Sequence, residues 1–257
     1  MRFISGAGLA SLALLLGVLA TPAEAEEPTA QVAPTAQRAQ VRAVHEIKVF
    51  GRSVKGREMR AYRIGDPTST RKAVLIGTIH GNEAGPAKIL LNLMDGPPVT
   101  GADIWVIPYL NRDGYAKNRR TNARGVDLNR NFPVSWVKQG GRYYSGKKAA
   151  SEPETKALMK FLTAVRPAYV VSLHQPLNGV DSSYGKARWL AQRLVAGLKL
   201  PKKVFHCRSR CHGTMTQWFN KKLPGAALTV EYGGKVSKRQ ATVTGPKGLL
   251  SAVFASR

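Results

Sequence analysis

His80 and Glu83 stand three residues apart, directly after the apolar run "KAVLIGTI" (72–79), in a chain with only five histidines. An imidazole and a carboxylate at that spacing can grip one metal ion, and they can equally make a solvated turn. Two other residues bear on the choice. His174 follows "AYVVSL" (168–173), and Glu231 lies at the end of "ALTVEY" (227–232). A catalytic zinc site takes three protein ligands from histidine and carboxylate side chains and leaves one position open for water. His80, Glu83 and His174 supply that set, and Glu231 remains as a carboxylate near the ion.

These residues need a scaffold that brings them together. The runs at 72–79, 102–109 ("ADIWVIPY"), 168–173 and 227–232 are short, β-branched and bounded by turn residues, so they read as buried strands. Between them, Ser151 and Glu154 form a capping box, and Leu158, Phe161, Leu162 and Val165 recur at helical spacing until Pro167. A second helix spans Lys186 to Leu198, with Trp189, Leu190, Leu194, Val195 and Leu198 along one face. Both stripes read as core. The alternation indicates an α/β fold with a mixed, mainly parallel central sheet covered by helices. In open α/β sheets, ligands collect beyond the carboxyl ends of the strands, and all four candidate residues converge on that rim.

Residues 1–25 read as a secretory signal, with Arg2 at the positive start, Leu9 to Leu19 as the apolar run, and cleavage after Ala25. That run is shorter than the roughly 20 residues that cross a bilayer, and charged residues interrupt every later apolar stretch. No transmembrane segment is therefore expected after cleavage, and the expected location is secreted or in the cell envelope. Residues 26–40, "EEPTAQVAPTAQRAQ", carry almost no large apolar side chain and read as a flexible linker. Residues 41–257 are then one catalytic domain, within the usual size for a single α/β core. No internal repeat is present.

The formal charge is +25. Nucleic acid is one partner such a charge can serve, but the Lys and Arg residues are scattered and no recognition motif for DNA or RNA appears. Anionic cell-envelope polymers account for the charge better, and a solvated basic surface accounts for it as well.

His80-x-x-Glu83, "GVDLNRNFP" (125–133), "SLHQP" (172–176) and "LTVEY" (228–232) together resemble the metallocarboxypeptidase superfamily, in its order. The stretch "GRSVKGREMRAYRIG" (51–65) is similar to that family's opening strand pair. Within the superfamily, "TNARGVDLNRNFP" most resembles the murein peptide amidase A and γ-D-glutamyl-diaminopimelate peptidase group. The resemblance covers roughly residues 45–255. It implies a compact zinc carboxypeptidase-like domain with one Zn2+ per chain, held by His80, Glu83 and His174. It also implies Glu231 as general base and acid, and Asn129 and Arg130 as contacts to a substrate carboxylate.

Elementary chemistry agrees with these roles. Zinc brings the pKa of water toward neutrality, and Glu231 can take the proton and later hand it to a leaving amine. An arginine beside the metal would stabilise the developing oxyanion. The segment "AKNRRTNARG" offers Arg119, Arg120 and Arg124, of which Arg120 best matches the amidase-like form, while Arg124 reads as a solvated loop charge. Arg130 has a planar fork that binds a carboxylate through two hydrogen bonds, and Asn129 can add a third donor. Two departures from the family pattern stand out. Arg112 occupies a position where relatives carry proline, and no tyrosine is evident where larger carboxypeptidases bring one over the substrate. Asp181 is open to either a substrate ammonium or a structural hydrogen bond.

The only cysteines, Cys207 and Cys211, lie in "FHCRSRCHG" (205–213) and suggest a disulfide in an exported chain. A second metal site or haem attachment is the competing reading. His45, His206 and His212 read as structural or solvated. The substrate expected from all this is a peptide of cell-wall or protein origin. The γ-D-glutamyl-diaminopimelate amide is favoured over general carboxypeptidase action and over N-acyl amino acid deacylation resembling that of aspartoacylase.

Overall fold

The structure is a computed structural model that describes residues 43–205 and 210–257. The expected signal (1–25) and linker (26–40) lie outside the described residues, as do His206 and Cys207. Eight strands form one sheet: β1 (Val44–Arg52), β2 (Glu58–Gly65), β3 (Lys72–Gly77), β4 (Asp103–Ile107), β5 (Tyr169–His174), β6 (Gly179–Asp181), β7 (Lys202–Lys203) and β8 (Ala226–Glu231). Their order across the sheet is β1-β2-β4-β3-β5-β8-β6-β7. The four runs read as buried strands are β3, β4, β5 and β8, and they are its parallel centre. The antiparallel β1–β2 hairpin extends one edge by pairing β2 with β4.

Both faces of these central strands are covered, which is why their sequences are continuous apolar runs rather than alternating ones. Alternation instead assigns neighbouring side chains to opposite cores. Ala73 and Leu75 of β3 join one cluster, with Ile89, Leu90 and Leu93 of α1 (Ala87–Asp95), Leu190 and Leu194 of α4 (Arg188–Leu198), and Leu249 and Leu250 of α6 (Gly245–Ala252). Val74 and Ile76 join the other, with Leu158, Phe161 and Leu162 of α3 (Pro153–Val165) and Trp218 and Phe219 of α5 (Met215–Lys222). A short helix, α2 (Arg112–Ala116), follows β4.

Two local expectations are corrected. Helix α3 starts at Pro153 with Glu152 as N-cap and has no side-chain cap bond, so Ser151 and Glu154 do not form a capping box. Glu154 accepts from the Val54 amide at 3.1 Å and from Asn122 at 3.2 Å, while Ser151 Oγ donates to Glu152 at 2.7 Å. Pro153 already occupies the first turn, and long-range partners take the side chains that the box needs. The second correction concerns α4. Its stripe is buried at Leu190, Leu194 and Leu198, but Trp189 is 42% exposed and stacks on Phe254.

Candidate metal centre

The site is built at the carboxyl ends of β3, β5 and β8. Beyond β3, Thr78 adopts φ 55° and is fully buried. A β-branched residue in the left-handed region is a real backbone outlier, and such strain gathers at sites that the surroundings over-determine. Here the Thr78 carbonyl accepts from the Asn111 amide at 2.9 Å, and its hydroxyl donates to the Pro108 carbonyl at 2.9 Å. This turn delivers His80. Gly81 follows because the backbone of the next segment passes very close to it. A Cβ there would sit 2.1 Å from the Gly114 carbonyl carbon and 2.4 Å from the Arg119 oxygen.

His80, Glu83 and His174 are all buried and meet as expected. One Glu83 oxygen lies 2.8 Å from Nδ1 of His80, and the other lies 2.9 Å from Nδ1 of His174. Ligand atoms of the three residues lie within 4.8 Å of one another, so one ion can touch all of them. The outer nitrogens are anchored. Nε2 of His80 is 3.1 Å from Asp127 Oδ1, and Nε2 of His174 is 2.9 Å from Ser172 Oγ. A proton held on Nε2 by Asp127 turns the Nδ1 lone pair of His80 toward the centre, the arrangement that metal-ligating histidines adopt. Two oriented imidazoles and one buried carboxylate therefore fit zinc.

The electrostatics follow from this clustering. Burial opposes charge on His80, but Glu83 and Asp127 outweigh it and raise the pKa of the imidazole. Burial likewise opposes charge on Glu83 and Asp127, yet the His80 and His174 imidazoles hold the Glu83 carboxyl, and His80 with Arg120 and Arg130 the Asp127 carboxyl, well below the usual range. Glu231 behaves differently. It lies in direct register with His174 across β5 and β8 and accepts from the Leu177 amide at 3.2 Å. Burial raises its pKa, with Glu83 adding to the effect and His174 opposing it. A carboxylate poised in this way is a better base than a free one, and a usable acid afterwards.

Arg120 is the arginine brought to the centre. Its Nη1 lies 3.3 Å from Glu83 and 3.2 Å from His80 Nδ1, and its Nε and Nη2 donate to Asp127 at 2.9 and 2.8 Å. Arg119 is exposed, and Arg124 points to Glu152 at 3.6 Å with most of its side chain in solvent, as the sequence suggested. Asp127 is the residue of this cluster that sequence reasoning missed. It joins His80 to Arg120, and its signal was its place within "GVDLNRNFP", two residues before Asn129.

Arg130 is buried in the wall of the same cavity, which has a volume of about 860 Å³. Its Nη1 donates to the Asn129 carbonyl at 2.7 Å and its Nη2 approaches Cys211 Sγ at 3.6 Å, with no carboxylate partner among the described residues. Burial lowers its pKa. Asn129 Oδ1 accepts from the Met215 amide at 2.9 Å, which leaves its Nδ2 as the remaining donor. Gly213, at φ 63°, packs against the Arg130 carbonyl where a Cβ would lie 2.6 Å away. Asp181 also lines the cavity, with Oδ1 held by the amide and hydroxyl of Ser183 at 2.9 and 2.6 Å. Tyr143 and Tyr184, neither of them singled out from the sequence, line the cavity wall. Arg112 lies over the Tyr109 ring at 5.9 Å, away from the cavity. His45 is exposed and contacts the Gly65 carbonyl at 3.2 Å, and His212 is not among the cavity residues. Cys211 is disulfide-bonded, and the other half of the expected pair, Cys207, lies outside the described residues.

Relatives carry names consistent with this site. Murein peptide amidase A of Escherichia coli K12 is 34% identical over 163 residues, which is 56% of this chain and 65% of that protein. Murein peptide amidase A of Vibrio campbellii is 31% identical over 160 residues, 56% and 64% of the two chains. The chain thus spans just under two thirds of the length of these relatives. Among solved structures, the murein-tripeptide amidase from Escherichia coli O157 superposes with a TM-score of 0.65 at 26% identity, covering 81% of this chain and 91% of that one. Carboxypeptidase A from Helicoverpa armigera shares the fold, with a TM-score of 0.67 at 18% identity over 82% and 68% of the two chains. The family model described as zinc carboxypeptidase matches residues 35–203, and the chain belongs to the zinc carboxypeptidase family.

Proposed function

We propose that this chain is an exported, zinc-dependent metallopeptidase that hydrolyses the γ-D-glutamyl-diaminopimelate amide of peptidoglycan-derived peptides. The observation that carries the reading is the joint placement, in one cavity, of the His80–Glu83–His174 group, the raised-pKa Glu231 and the carboxylate-free Arg130. The names of the murein peptide amidase relatives favour the cell-wall substrate.

His80, Glu83 and His174 would hold the zinc, which when bound would supply Lewis acidity and lower the pKa of water toward neutrality. Glu231 accepts the proton of the attacking water and passes it to the departing amine. Arg120, held by Asp127 on one side, places its Nη1 where negative charge builds on the former carbonyl oxygen. Arg130 and the Asn129 amide fix a free carboxylate on the leaving group, which sets the scissile bond against Glu231. The strongly positive chain would also keep the enzyme near anionic envelope polymers.

The test compares L-alanyl-γ-D-glutamyl-diaminopimelate with a matched α-linked peptide. The γ-linked tripeptide is cleaved to free diaminopimelate, with the α-linked peptide much slower. Arg130→Lys lowers kcat/KM because an ammonium lacks the fork. Faster cleavage of the α-linked peptide would mark a general carboxypeptidase, and cleavage of N-acetylated amino acids alone would mark a deacylase.

A further inference from the structure

Tyr143 stands in the cavity wall with four guanidinium carbons around its ring, at 5.5 Å for Arg120, 5.4 Å for Arg130, 5.3 Å for Arg142 and 5.4 Å for Arg210. Cations over a tyrosine face are attracted to it, but four like charges at one ring repel one another. Arg120 is neutralised by Asp127 and Glu83. Among the described residues, no carboxylate pairs with Arg130, Arg142 or Arg210. A single substrate carboxylate seated on Arg130 leaves the other two still unmatched. Both line the same cavity and are exposed to solvent at its rim, so they are open to an incoming ligand.

We infer that Arg142 and Arg210, arranged about Tyr143, form a second carboxylate-binding subsite, so that the enzyme selects peptides that carry a second free carboxylate besides the one seated on Arg130. This rests on the reading of the chain as a γ-glutamyl peptidase. The second carboxylate has two chemical sources in such a peptide. One is the α-carboxyl of the γ-linked glutamate, on the acyl side of the bond. The other is the far carboxyl of the diamino acid, on the leaving side.

The experiment measures kcat/KM for three tripeptides: unmodified L-alanyl-γ-D-glutamyl-diaminopimelate, its analogue amidated at the glutamate α-carboxyl, and its analogue amidated at the far carboxyl of diaminopimelate. Each is assayed with the wild type and with the Arg142→Gln/Arg210→Gln double variant. In the wild type, one of the two amidations lowers kcat/KM about tenfold or more, as loss of a charged hydrogen bond requires, and its position identifies the source. In the double variant that penalty falls below threefold, because the groups that sensed the carboxylate are gone. A penalty under threefold for both amidations in the wild type, or a full penalty that persists in the double variant, overturns the subsite. Failure of the parent reading looks different, since the wild type would then leave the unmodified tripeptide intact. The same contrast is in that case read on cleaved α-linked peptides with and without a second carboxylate, and its absence there also overturns the subsite.

Discussion

Asp127 offers the sharpest way to test how the centre is held. Its Oδ1 accepts from the Asn129 amide at 3.0 Å and lies 3.1 Å from Nε2 of His80, while its Oδ2 receives Arg120 through two nitrogens. Asparagine has the same shape but only one acceptor oxygen. If that oxygen faces Arg120, the amide NH2 opposes the Nε2–H of His80, donor against donor. The reverse orientation sets it against the guanidinium. Either way a charged hydrogen bond is lost, at a cost of about 1.5–3 kcal/mol, or roughly 10- to 100-fold. Substituting a residue that anchors a metal-ligating histidine costs zinc affinity by a similar 10- to 100-fold. Asp127→Asn is therefore expected to lower zinc affinity, measured by competition with a chromogenic chelator, or kcat/KM at saturating zinc, by at least about tenfold. Values for both within threefold of the wild type would refute the assigned linkage of His80 and Arg120.

Other perturbations act on separate parts of the site. Glu231→Gln is expected to keep zinc and substrate affinity while kcat falls about a hundredfold or more, since proton transfer alone contributes that much; near-normal turnover would remove Glu231 from the chemistry. Gly81→Ala forces a methyl into the Gly114 backbone, and loss of about 1–3 kcal/mol or more of stability should appear as a lower melting temperature with weakened zinc retention. In metal-free protein, the raised pKa of His80 contributes stability that is full below its ordinary value of 6.5 and is lost as pH rises through the folded-state value. The depressed pKa of Glu83 contributes stability that is present above its ordinary 4.5 and is lost as pH falls. In chelator, the stability difference between wild type and His80→Ala should thus be largest between the ordinary values of 4.5 for Glu83 and 6.5 for His80, and should shrink as pH rises above 6.5 through the folded-state value of His80. A difference that grows with pH in chelator would contradict this assignment.

The sheet and the convergence of His80, Glu83 and His174 were legible because both depend on short-range pattern. Buried parallel strands read as continuous β-branched runs, and a ligand at the carboxyl end of a strand sits just after such a run, as His80 and His174 do. The β1–β2 hairpin was carried by family resemblance in residues 51–65. What escaped was set by partners distant in sequence. Ser151 and Glu154 fit a local capping pattern, yet Asn122 and Val54 claim Glu154 from more than thirty residues away. The true capping box opens α5, where Thr214 and Gln217 satisfy each other's backbone amides at 3.2 and 3.1 Å. Trp189 has helical spacing for the core, but stacking on Phe254 keeps it at the surface. Tyr143 and Arg142 come from a single 3-10 turn (Gly141–Tyr143), too short to carry a periodic signal, and only the folded chain brings them to Arg130.

In the proposed mechanism His80, Glu83 and His174 hold a single zinc on which hydrolysis by Glu231 depends. Titrating metal-free protein with zinc, while release of free diaminopimelate from L-alanyl-γ-D-glutamyl-diaminopimelate is followed by mass spectrometry, tests it directly. Release should rise in proportion to added zinc and level off at one equivalent per chain, with no comparable rise for His80→Ala or His174→Ala. Full release in chelator-treated protein, or a wild-type plateau reproduced by both histidine variants, would contradict it.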